Sequence, residues 1–246
     1  MKRFFLFSIF FILFPFHFWG QYERDYNSLD STYFSNTGEK GQTPSCLRKI
    51  TDSRLYQISY VPVSLFALSG ISSPFEGYVR DVRNSQIPGF HYHYDDYLQF
   101  LPGVALLGLK ISGVEGRSDW KQMLSSTAAS AAIMSVLVNG VKYATQKERP
   151  DGSTRNSFPS GHTATAFMTA TWLHKEYGKT RSPLYSIAGY SVATITGLSR
   201  ILNNRHWLSD VLAGAGVGIL SAEIGYWIGD RLFQEKQDHS QERLLY

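Results

Sequence analysis

The chain has 246 residues, 43% of them hydrophobic and 18% charged, with 24 Lys and Arg against 20 Asp and Glu. That composition excludes a disordered chain, and a formal charge of +4 is too small a surplus to point to nucleic acid. The single cysteine, Cys46, excludes internal disulfides and four-thiolate zinc sites.

Met1-Lys2-Arg3 is a basic start, followed by a nearly unbroken apolar run to Trp19 and a small residue, Gly20. This is the layout of a secretory signal over residues 1–20. An uncleaved signal anchor is the alternative, because bulky Phe18 suits a cleavage site poorly. Residues 21–52 are polar, rich in Ser, Thr, Asn and Gly, and read as a loosely ordered arm. Six apolar segments follow, at 54–73, 95–113, 120–145, 160–177, 184–202 and 207–230. They predict an all-α domain over 53–232, a bundle of about six helices. Gly214, Gly216 and Gly218 in the last segment would let neighbouring helices approach closely. Residues 233–246 form a charged tail, expected to be solvated.

Charge-free runs test whether these helices span a bilayer. Residues 55–75, 122–141 and 182–199 each supply 18 or more, about the spanning minimum. The runs at 97–109 and 211–222 are shorter. Mean hydropathy is only −0.19, so any spanning helices are rich in Ala, Gly, Ser and Thr and pack on one another. A membrane-embedded bundle and a soluble periplasmic one both fit these numbers.

Three clusters carry candidate chemistry. Lys142 ends an apolar helix, and Arg149 lies seven residues on, before Pro150. Alone, this is also the ordinary cationic end of a helix. Pro159-Ser160-Gly161-His162 precedes the next apolar segment. Ser160 is a good N-cap, Gly161 admits close approach to the backbone, and free amides at a helix start bind phosphate. Ser199-Arg200 is followed by His206 and Asp210, spaced i, i+4. A carboxylate so placed can hold one imidazole nitrogen and aim the other outward, although a structural ion pair has the same spacing.

In that order the clusters read Lys-x6-Arg-Pro, Pro-Ser-Gly-His and Ser-Arg-x5-His-x3-Asp. This resembles the type 2 phosphatidic acid phosphatase superfamily, which includes bacterial class A acid phosphatases and vanadium haloperoxidases. The resemblance covers roughly 95–230. It implies that Lys142, Arg149 and Arg200, with the amides around Ser160 and Gly161, hold phosphate oxygens. It further implies that His206 attacks phosphorus, Asp210 orients it and His162 protonates the leaving oxygen. No metal or cofactor is expected, since fixed cations neutralise the charge. The expected partners are a membrane and a phosphorylated lipid: undecaprenyl diphosphate, phosphatidylglycerol phosphate, phosphatidic acid or lipid A. His91, His93, Asp95 and Asp96 read as a polar loop leading into a helix, with metal ligation the lesser alternative.

If the helices span, Lys142 to His162 and Arg200 to His206 open on one face. Arg117, Lys121, Lys175, Lys179, Arg181, Arg231, Lys236 and Arg243 fall on the other, which the positive-inside rule puts in the cytoplasm. Helix parity then conflicts with a secretory signal, because three spans counted back from Lys142 leave 21–52 in the cytoplasm. The segment at 54–73, with Gln57, Ser59 and Pro62, is the first expected not to span. The competing readings are a soluble periplasmic acid phosphatase, a vanadium-dependent haloperoxidase and a non-catalytic lipid-binding protein.

Overall fold

The computed structural model describes residues 53–242, with side chains to residue 233. The proposed leader at 1–20, the arm at 21–52 and the side chains of the tail beyond 233 lie outside the described residues. Among the described residues every regular element is helical. Helix α1 (Arg54–Ser72) passes through a short 3-10 turn into α2 (Glu76–Gln86). A four-residue α3 (Asp95–Leu98) precedes α4 (Leu101–Ile111). Then come α5 (Trp120–Thr145), α6 (Gly161–Leu173) with a π-helical turn at His174–Gly178, α7 (Pro183–Leu202) and α8 (Leu208–Glu242).

The longer helices begin where a side chain can satisfy their orphan amides. Ser53, Asp119, Ser160 and Ser182 accept from the backbone of Tyr56, Gln122, Thr163 and Leu184. Pro183 follows its cap at the first helical position, where a missing amide hydrogen costs nothing. Helix α5 stops at Gln146, which takes the left-handed conformation at φ 44°.

Helix α8 is the axis of the bundle, packed against α5, α6 and α1, while α6 also packs on α7 and α4. Glycine makes this possible. A Cβ on Gly218 would overlap the Ala164 carbonyl oxygen and stand 3.0 Å from the Met168 amide, both on α6. One on Gly214 would press on the Ser160 carbonyl, and one on Gly216 on the Phe66 ring of α1. Gly218→Ala is therefore expected to destabilise the protein by about 2 kcal/mol or more, because backbone cannot yield as a flexible side chain would. Chemical denaturation in detergent micelles checks this, and a loss below about 0.5 kcal/mol would show that the two helices can part at little cost.

Three stretches are long and apolar enough to cross a membrane: Arg54–Gln86, Trp120–Thr145 and Leu208–Phe233. Large apolar side chains stand exposed along α1, α4, α5 and α7, among them Val63, Val104, Val136 and Leu184. Such faces belong against lipid, and the chain is a membrane protein. The low mean hydropathy is reconciled by hydroxyls that bond back within their own helices. Ser59 donates to Leu55, Ser64 to Tyr60, Ser125 to Lys121 and Thr145 to Val141. Each of these four hydroxyls is thus satisfied without water.

The segment at 54–73 departs from expectation. Pro62 lies buried inside the 19-residue α1, which has Arg54 beside Asp230 near one end and Ser69, whose hydroxyl meets the Ser209 carbonyl, near the other. It traverses the bundle as fully as its neighbours do. Helix α2 gave no apolar signal because its two buried side chains are charged, and both are partnered. Helix α8 also continues past 230 to Glu242.

Candidate active site

Four helix ends meet at one end of the bundle: the last turns of α5 and α7 and the first turns of α6 and α8. Residues 146–160 cross this end, pinned by Ser157 N–H donating to the Lys147 carbonyl and Arg149 N–H to Thr154, at 2.9 and 3.0 Å. Ser160 N–H donates to the Asp210 carbonyl at 2.9 Å, which locks the start of α6 to α8. The Ser160 hydroxyl caps α6 and receives the Thr163 hydroxyl.

His206 and Asp210 come together, although His206 lies in the turn before α8 and not on its face as the i, i+4 spacing supposed. His206 is 2% exposed and Asp210 fully buried. His206 Nδ1 lies 3.6 Å from Asp210 Oδ2, an ion-pair separation rather than a hydrogen bond. Ser157 fills the interval: its hydroxyl donates to Asp210 Oδ2 at 2.5 Å and lies 3.5 Å from His206 Nδ1. The Trp207 amide also donates to Oδ2, while the Lys147 ammonium stands 3.1 Å from Oδ1. With Nδ1 on the carboxylate side, Nε2 is the nitrogen left for chemistry. Burial pushes the His206 imidazole down to about 4, against the opposing pull of Asp210, with Arg200 and Lys142 adding to the depression. The ring is therefore neutral at neutral pH.

The three cations converge. Lys142 lies in the field of Arg149, Arg200 and Asp210. Asn156 gathers two of them, its carbonyl accepting from Lys142 Nζ at 2.5 Å and its side-chain oxygen from Arg149 Nε at 3.1 Å. Arg149 is pushed below its ordinary value by burial, then by Arg205 and Arg200, yet a guanidinium does not discharge. Arg200 is buried and donates to Asp95 at 2.5 Å. Positive charge concentrated in this way favours a multiply charged oxyanion.

His162 sits in the first turn of α6, its Nε2 2.7 Å from Asp96 Oδ1. Burial and Arg200 lower its pKa, and Asp96 acts to raise it. Asp95 and Asp96 therefore hold two site residues, Arg200 and His162, and no group of three or more His, Cys, Asp or Glu is gathered for a metal among the described residues. Sequence reasoning reached all eight candidates: Lys142, Arg149, Ser160, Gly161, His162, Arg200, His206 and Asp210. It missed Ser157 and Asn156, and the carboxylate partners Asp95, Asp96 and Glu76. Lys147, not among those candidates, also enters the site beside Asp210. Glu76 grips Lys147 at 2.8 and 2.9 Å and receives the Ser209 hydroxyl.

Comparison with known proteins finds relatives of this chain. The model of the PAP2 superfamily matches residues 120–234. A lipid A 1-phosphatase from Porphyromonas gingivalis is 49% identical over 172 residues, which is 70% of this chain and 38% of that protein. A PA-phosphatase related-family protein from Dictyostelium discoideum is 27% identical over 175 residues, 65% of this chain and 57% of that one. The chain thus spans less than two thirds of either curated relative. Among solved structures, Aquifex aeolicus LpxE aligns at 23% identity and a TM-score of 0.45, covering 59% of this chain and 92% of its own. The PAP2 type phosphatidylglycerolphosphate phosphatase of Bacillus subtilis aligns at 20% and 0.47, covering 72% and 97%.

Proposed function

Residues 120–234 make this chain a member of the PAP2 superfamily, and from that premise we propose that it is a metal-independent phosphatase of membrane lipids. The observation that carries this reading is His206: buried, neutral, backed by Asp210 and Ser157, and facing a concentration of fixed positive charge. In the reaction proposed, Nε2 of His206 attacks phosphorus and the ester P–O bond breaks. His162 gives its proton to the leaving oxygen. Water then attacks the phosphohistidine, yielding a proton to His162 and releasing phosphate. Lys142, Arg149 and Arg200, with the amides around Ser160 and Gly161, bear the charge that spreads over the equatorial oxygens.

Among the lipids considered, the 1-phosphate of lipid A leads, because the Porphyromonas gingivalis relative carries that activity in its name at 49% identity. The exposed apolar faces of α1, α4 and α5 support a substrate presented from the bilayer over a soluble ester. Basic residues support an orientation with the site outside the cytoplasm. Arg54, Arg117, Lys175 and Arg181 gather at the opposite end, around Asp230, Glu223 and Glu115.

The test is a panel of lipid phosphates and soluble phosphomonoesters given to the purified protein. Lipid A 1-phosphate is expected to turn over at least about tenfold faster than the soluble esters. Activity should survive EDTA and be blocked by vanadate, which mimics five-coordinate phosphorus. Loss on chelation, restored by a divalent ion, would overturn the mechanism. Preference for soluble esters would overturn the substrate class.

A further inference from the structure

Beside the eight candidate site residues, the structure holds a carboxylate that the proposed mechanism has not used. Asp96, on α3, is half-exposed, and its Oδ1 lies 2.7 Å from His162 Nε2 and 3.7 Å from Arg200 Nη1. Its neighbour Asp95 points instead into the core, bonded to Arg200 and Asn203. The two adjacent residues thus divide the site between them, one fixing a phosphate-binding cation and the other the histidine. Helix α3 is itself anchored, since the Tyr92 amide and carbonyl both pair with the Asn203 side chain and the Ser199 hydroxyl meets Tyr94. Asp96 is therefore presented to His162 by a braced element.

We infer that Asp96 is a positioning residue for the leaving-group acid, holding His162 through Nε2 so that Nδ1 exchanges the proton with the departing oxygen. The inference rests on the phosphatase reading above. Its chemistry balances: the Nε2 proton stays between the ring and Asp96, and the Nδ1 proton passes to the alkoxide as the P–O bond breaks. The charged groups facing His162 are Arg200 from α7 and Asp95 and Asp96 from α3, with His93 3.9 Å from Asp96. Arg200 and burial favour the neutral imidazole, and the carboxylates oppose them. Removing Asp96 leaves that opposition to Asp95 alone, and Asp95 is already engaged by Arg200.

The experiment compares Asp96→Asn and Asp96→Glu with the wild type on phosphate esters that share one acyl chain and differ in leaving group, from a nitrophenol to an alkyl alcohol. A nitrophenolate departs without a proton, whereas an alkoxide needs one. Asp96→Asn should cost about tenfold or more in kcat on the alkyl ester and less than about twofold on the nitrophenyl ester. KM should hold, and Asp96→Glu should recover part of the loss. The alkaline limb should move to lower pH, because a protonated His162 without its carboxylate loses its proton sooner. On a His162→Ala background, Asp96→Asn should add nothing.

Equal losses on both esters with an unmoved limb would assign Asp96 a merely structural role and overturn the inference, while leaving the phosphatase reading intact if His206→Ala remains dead. A wild-type protein inert on every ester would remove both.

Discussion

Replacing His206 with alanine is expected to abolish turnover, with a fall in kcat of about 10⁴-fold or more on any phosphate ester the wild type accepts. The size follows from the role. The proposed nucleophile has no substitute in the alanine variant, and the remaining cations can only bind. His206 is 2% exposed, and its desolvation keeps the imidazole neutral down to about pH 4. The sign of the pH effect is fixed by this. Attack needs the unprotonated ring, so activity should be lost as pH falls through the region of 4 rather than near the ordinary histidine value. Enzyme given labelled substrate and quenched in alkaline detergent should retain acid-labile, base-stable phosphate, and the variant none. Bound substrate with no trapped label, or a variant keeping a tenth of wild-type activity, would assign the attack to another group.

The bundle was legible because its helices announce themselves locally. Apolar runs of helical length and a capping serine such as Ser160 are patterns that one helix contains by itself. The signature was legible for a similar reason, since each of its three parts is a short stretch of sequence at or between helix ends. What stayed hidden joins distant parts of the chain. Glu76 and Lys147 are 71 residues apart, Asp96 and His162 66, Asp95 and Arg200 105. No periodicity marks such pairs, and each member alone resembles a solvated surface charge. Helix α2 shows the cost of that blindness. Its apolar residues are few, and its buried face is instead Glu76, paired with Lys147, and Arg83, which donates to the carbonyls of Leu202 and Phe90. A hydrophobic pattern cannot reveal an element held by paired charge. Pro62 misled in the opposite way, because a proline that ordinarily breaks a helix is here carried inside one packed against α8.

Asp210→Asn is expected to lower kcat by about 10³- to 10⁴-fold while leaving substrate binding nearly unchanged. The carboxylate collects four different partners. Oδ2 accepts from the Ser157 hydroxyl and the Trp207 amide and faces His206, and Oδ1 faces the Lys147 ammonium. An amide of the same shape offers one oxygen and one pair of donors. If the oxygen keeps Ser157 and Trp207, the donors confront Lys147. If it turns to Lys147, the donors confront a serine hydroxyl and a backbone N–H, both of which need an acceptor. Either rotamer leaves a buried donor unmatched and removes the charge that stabilises a developing imidazolium. The effect should therefore fall on the chemical step and not on phosphate binding, which the proposed mechanism gives to Lys142, Arg149 and Arg200. The acid limb should also move to lower pH, because Asp210 acts to raise the His206 pKa and the amide cannot. Lys147 retains Glu76 in the variant, so the fold should hold and the kinetic loss can be read directly. A variant keeping more than about a tenth of kcat would reduce Asp210 to a structural anchor. A rise in KM with unchanged kcat would instead place the carboxylate among the groups that organise the phosphate-binding cations.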